Sequence, residues 1–106
     1  MATSKEFLNF VLDQLSDLDG ITYRQMMGEY IIYYGGKIAA YLCDNRMLIK
    51  PVKSAFAMMH GAPLEAPYEG AKEMLLAENI DGRDFMTALF CAIYDELPEP
   101  KPKKKK

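Results

Sequence analysis

Apolar residues are spaced in two ways along the chain, helically near each end and in dense β-type runs between residues 21 and 50. Phe7, Leu8, Val11, Leu12, Leu15 and Leu18 recur at steps of three and four, leaving Asn9, Asp13, Gln14 and Asp17 outward. This spacing predicts an amphipathic helix whose core face is Phe7, Leu8, Val11, Leu12 and Leu15. Thr3 three residues before Glu6 predicts a capping box at its start, and Gly20 suits the left-handed position after its end. Near the other terminus Phe85, Met86, Leu89, Phe90, Ile93 and Leu97 form a second stripe, with Asp81 as the expected N-cap, Asp84 in the first turn and Pro98 as the stop.

Between these helices the pattern changes period. Residues 21–26 have the β-branched and aromatic content of a strand, followed by a bend at Gly28. Runs at 29–34, 37–42 and 47–50 are separated by Gly35-Gly36 and Asp44-Asn45-Arg46, which supply the positive φ of tight turns. An antiparallel meander follows. Alternation places Tyr30, Ile32 and Tyr34 opposite to Ile31 and Tyr33, and Ile38, Ala40 and Leu42 opposite to Ala39 and Tyr41. Both faces are apolar, so three helices are expected to leave a tyrosine-lined face partly open or closed by a second copy. Ser54 is expected to cap a short helix through Met59 that stops at Gly61. Residues 62–70 read as a loop and 71–77 as an edge strand. The predicted fold is α+β, an antiparallel meander of four to five strands packed with three helices in one domain, residues 1–97. A disordered Lys/Pro-rich tail spans 98–106.

Charge sharpens this division. The net charge of −2 conceals a body of eight basic and fourteen acidic residues before position 98 and a tail carrying Lys101, Lys103, Lys104, Lys105 and Lys106. An acidic body disfavours a broad nucleic-acid surface, which needs clustered cations to displace counterions; the tail is expected to add only weak, salt-sensitive attraction. Cys43 and Cys91 have no paired spacing, and His60 is the single histidine. No disulfide framework or metal cluster is expected, and the absence of a leader or spanning pattern predicts a cytoplasmic protein without membrane association.

No set of residues announces a reaction. Gly35-Gly36-Lys37 lacks the earlier glycine and following hydroxyl of a phosphate loop, since Ile31 and Ile38 occupy those positions. Cys43 beside Asp44 reads as strand-end packing because a carboxylate disfavours a thiolate, Cys91 reads as a small core residue, and His60 as a partner of the last carbonyls of a short helix. The methionines read as core filler. The candidate binding residues are Arg24, Tyr30, Tyr33, Tyr41, Arg46 and Lys50. With Lys53, the cations among them are the only sources of a positive patch near the sheet.

Met26-Met27-Gly28-Glu29-Tyr30, Gly36-Lys37 and Leu48-Ile49-Lys50, preceded by Arg24, together resemble the TfoX N-terminal domain family, related to the Sxy competence regulators. Pro67-Tyr68 resembles that family's later Pro/Tyr loop. The resemblance covers most of residues 7–97, and Met26, Gly28, Gly36, Lys37 and Leu48 are its motif positions. It implies a fold like that of secretion chaperones, no catalytic residues, no cofactor, and a part in regulating competence-type transcription. The expected function is a non-enzymatic regulator or adaptor acting through protein contacts, as a homodimer or with another protein. The alternatives are a homodimeric small-molecule or enzymatic domain, with tyrosines 23, 30 or 41 converging on Arg24, and a chaperone-like binder of peptides at an edge strand.

Overall fold

The structure, a computed structural model, describes residues 3–26, 28–67, 69–78 and 80–98. The readings placed on Tyr68 and on the lysine tail lie outside the described residues, as does Met27. Helix α1 (Lys5–Gln14) leads into strands β1 (Ile21–Met26), β2 (Glu29–Tyr34), β3 (Lys37–Cys43) and β4 (Arg46–Ile49). Helix α2 (Lys53–Met58), strands β5 (Leu64–Glu65) and β6 (Met74–Ala77), helix α3 (Arg83–Ile93) and a 3₁₀ turn (Tyr94–Glu96) follow. The fold is α+β. All six strands form one antiparallel sheet in the order β1-β2-β3-β4-β6-β5.

The two tight turns form where the glycines and Asp-Asn predicted them. Gly35 and Gly36 take φ of 59° and 85°, and Asp44 and Asn45 take 56° and 58°, the left-handed pairs that match strand twist in two-residue hairpins. The described residues form six strands rather than four to five. Residues 64–65, expected in a loop, pair with β6, and this makes β6 an interior strand between β4 and β5 instead of the sheet edge.

A β-bulge corrects the facing of β3. Ile32 is opposite Ala40 but Tyr33 is opposite Ile38, so Ala39 is the extra residue and Ile38 shares a face with Tyr33 and Tyr41, not with Ala40 and Leu42. Ala39 and Ala40 are both fully buried, and small side chains permit two consecutive inward positions.

All three helices cover one face. Leu8, Val11 and Leu15 of α1 and its C-cap, Ala55 and Met59 around α2, and Met86, Leu89, Phe90 and Ile93 of α3 share one core cluster. The sheet contributes Tyr30, Ile32, Leu42, Met47, Ile49, Leu75 and Ala77 to it. Each buried Leu, Ile, Met or Phe side chain contributes about 1.5–3 kcal/mol through its removal from water.

The helix ends differ from expectation in instructive ways. Ser4 caps α1, its hydroxyl accepting from the Phe7 N–H at 3.1 Å, while Thr3 is buried and donates to the Leu42 carbonyl at 3.1 Å. Thr3 therefore tethers the chain start to the β3 end instead of capping. Helix α1 ends at Gln14, so Gly20 is not its C′ residue; its φ of 87° lies just before β1. At α2 the N-cap is Val52, and Ser54 sits inside the first turn, where Glu96 accepts from its N–H at 2.7 Å and from its hydroxyl at 2.6 Å. The side chain of a distant residue supplies the cap. Gly82, not Asp81, is the N-cap of α3, though Asp84 does occupy the first turn. The regular helix stops at Ile93 and tightens into the 3₁₀ turn before Pro98.

Candidate functional site: the helix-free face of the sheet

The register sorts the candidate residues between the two faces. Directly opposed pairs place Arg24, Ile31, Tyr41, Leu48 and Leu76 in one row across β1, β2, β3, β4 and β6, on the side away from the helices. A second row holds Thr22, Tyr33 and Ile38, and Cys43 opposes Arg46 in a third. Ile31, Cys43, Leu48 and Met74 are buried on this face without belonging to the helix-side core, and Tyr33, Ile38, Tyr41 and Leu76 are half-buried.

Of the six candidate binding residues, Tyr30 leaves the group. It is 4% exposed on the helix side, where its ring meets Tyr23 edge-on at 5.8 Å. Tyr30 and Tyr41 lie on opposite faces, so the tyrosines do not converge on Arg24 as one pocket. Arg24, Tyr33, Tyr41 and Arg46 share the helix-free face. Arg46 is committed there, paired with Glu65 of β5 and donating to the Cys43 carbonyl at 3.3 Å. Lys53 is exposed at the start of α2, so on this face the expected positive patch is reduced to Arg24 at one end and Lys50 at the other.

Lys50 and Lys72 line a cavity of about 360 Å³ with Tyr41, Pro67, Met74 and Pro98 among its walls. Pro67 is buried, so the β5–β6 connection bends back over this part of the face. Lys72 is missing from the sequence-derived set. Its distance in sequence from Lys50 hides a proximity that the pairing of β6 with β4 creates.

The motif positions have structural roles. Gly28 takes φ of 84° and its carbonyl accepts from the Thr3 N–H at 2.9 Å. Met26 is 45% exposed at the end of β1, and Leu48 is fully buried in the outer row. Gly36 completes the hairpin, and Lys37 reaches the end of α3.

The Cys43 thiol is not an activated nucleophile. Burial, then the charge of Glu29 and a hydrogen bond to it, push the Cys43 thiol up to about 12. The adjacent Asp44 is a lesser contributor than Glu29. Cys91 is exposed on α3 rather than packed in the core. His60 is exposed beside a cavity of about 190 Å³ between the end of α2 and β6. Among the described residues no group of three or more His, Cys, Asp or Glu could hold a metal ion, and no helix is long and apolar enough to cross a membrane.

The chain is 33% identical over 107 residues to the uncharacterized 12.7 kDa protein in the trpE 5′ region of Spirochaeta aurantia, a match spanning 100% of this chain and 93% of that one. The chain belongs to the family of that 12.7 kDa protein. No family model and no solved structure matches the chain. This member of that family has as its candidate site a helix-free sheet face of buried and half-buried apolar side chains, with Arg24 and Lys50 at its margins.

Proposed function

We propose that the protein is a non-enzymatic regulator or adaptor of the TfoX N-terminal type, acting in the cytoplasm by protein–protein contacts. The observation that carries this reading is the band of half-buried side chains Tyr33, Ile38, Tyr41 and Leu76 on the helix-free face, beside the buried Ile31 and Leu48 and with Arg24 exposed at its edge. Bands of this kind rimmed by polar residues mark contact surfaces. The acidic body supports a protein partner over a phosphate backbone, and the two free thiols suit a reducing compartment.

The test compares wild-type protein with a Tyr33→Asp/Ile38→Asp variant of unchanged circular dichroism, in affinity capture and in titrations with duplex DNA at low and high salt. The expected result is a protein captured by the wild type and lost by the variant, with DNA binding weak and abolished by salt. Tight, salt-insensitive DNA binding, or capture indifferent to the variant, overturns the proposal.

A further inference from the structure

The two edges of the sheet are built differently. β5 ends one side with two residues, whereas β1 ends the other with six, Ile-Thr-Tyr-Arg-Gln-Met, paired to β2 without a bulge. It carries no proline and no lysine, the usual protections of a free edge. From Thr22 to Met26 every residue is exposed, including Tyr23 at 48%.

The hydrogen-bond phase of β1 follows from one bond. The Gly35 N–H donates to the Gly20 carbonyl at 3.0 Å, so in an alternating antiparallel ladder residues 20, 22, 24 and 26 bond towards β2. The N–H and C=O groups of Ile21, Tyr23 and Gln25 therefore point away from the sheet. The same three side chains lie on the helix side, where Leu12, Leu15, Leu18, Ile21 and Tyr23 line an open groove of about 460 Å³.

We infer that β1 pairs with the β1 of a second copy, antiparallel about a two-fold axis through Tyr23, to form a continuous twelve-stranded sheet. In this register Tyr23 opposes the second copy's Tyr23 and Ile21 opposes the second copy's Gln25, so all three outward N–H and all three outward C=O groups of each copy find partners. Sliding by one residue pair in one direction sets Arg24 against the second copy's Arg24. Sliding in the other leaves Gln25 beyond the matching strand. The centred register places Arg24 opposite Thr22, avoids the like-charge contact, and brings the second copy's Tyr23 ring beside the Ile21–Tyr23 wall of the groove. A peptide of unrelated sequence would satisfy the backbone but has no reason to match this symmetry. Because each body carries an excess of acidic residues, the pairing strengthens with added salt.

Sedimentation of the full chain over micromolar to millimolar concentrations tests the pairing. The wild type is expected to dimerise reversibly, more tightly at high salt. Tyr23→Pro removes an outward N–H together with the ring that meets Tyr30, and proline is tolerated on an edge; it is expected to keep the wild-type circular dichroism while weakening the dimer by roughly tenfold or more. Should that variant misfold, Gln25→Pro is the substitute. In a Cys91→Ser background, Tyr23→Cys is expected to form a disulfide-linked dimer under mild oxidation at least about tenfold faster than Gln25→Cys, because only position 23 meets itself on the axis. A wild type that stays monomeric throughout, equal cross-linking at both positions, or a β1 edge whose amides gain protection only on adding an extended peptide overturns the inference.

Discussion

Lys37 and Tyr94 lock the β2–β3 hairpin to the end of the last helix. The Lys37 ammonium donates to the Tyr94 carbonyl at 3.1 Å and stands 4.3 Å above the centre of its ring. A helix C-terminus favours a cation, and a ring face does so as well, so both interactions stabilise a lysine that is only 7% exposed. Lys37→Met keeps the aliphatic stem and removes the charge. It is expected to lower unfolding free energy by about 1–3 kcal/mol in urea titrations. A loss within experimental error would mean that the ammonium's desolvation cancels what these contacts contribute.

Gly35 and Gly36 look equivalent in sequence and are not equivalent in space. A Cβ on Gly35 would lie 2.8 Å from the Tyr94 ring and hydroxyl, whereas one on Gly36 meets nothing within 4 Å; both have positive φ. Gly36→Ala should cost about 1 kcal/mol, the left-handed backbone penalty alone. Gly35→Ala should cost more, and the excess should disappear when Tyr94→Ala is combined with it. Thermal melts of the four variants, including Tyr94→Ala alone, decide the matter; equal costs for the two glycines would deny the contact.

How much could be read in advance depends on the range of the interaction. The helical stripes, the four meander strands and both tight turns are local patterns, fixed by side-chain period and by residues that tolerate positive φ. Three features were out of reach because they depend on distant residues. The Ala39 bulge shifts facing only once β2 is present as a ruler. Ser54 receives its cap from Glu96, and β6 becomes interior only because the short β5 adds outside it. The same division holds at the candidate site. Tyr33 and Tyr41 were recognisable as strand tyrosines, but Tyr30 went to the core and Arg46 to Glu65 because the sheet assigns faces and partners that composition does not.

The two thiols should separate in labelling. Cys43 is 1% exposed with its thiol pushed up to about 12, first by burial and then by Glu29, while Cys91 is exposed. At neutral pH a maleimide is expected to modify Cys91 rapidly and Cys43 only on the timescale of unfolding, with both modified in denaturant. Rapid native labelling of Cys43 would show that the helix-free face opens beneath Ile31 and Glu29.

Glu96 links the pH dependence of stability to one helix end. Its carboxylate accepts from the Ser54 hydroxyl and N–H, and these bonds hold its pKa below the ordinary glutamate value. A group with a lowered folded-state pKa contributes stability that is fully present above its unfolded value and lost as pH falls through the folded one. The contribution is therefore constant around neutrality and declines on acidification below about pH 4.3, the unfolded glutamate value. Glu96→Gln removes the titration while keeping the shape. The melting temperature of the wild type should exceed that of Glu96→Gln near neutral pH, and the gap should narrow as pH falls towards 3, because a protonated carboxyl and an amide both accept weakly at this end of α2. Ser54→Ala removes the hydroxyl donor and should shrink the same gap at neutral pH without moving the acid limit. A difference that is flat with pH would show that Glu96 stabilises α2 through packing of the 3₁₀ turn and not through its charge.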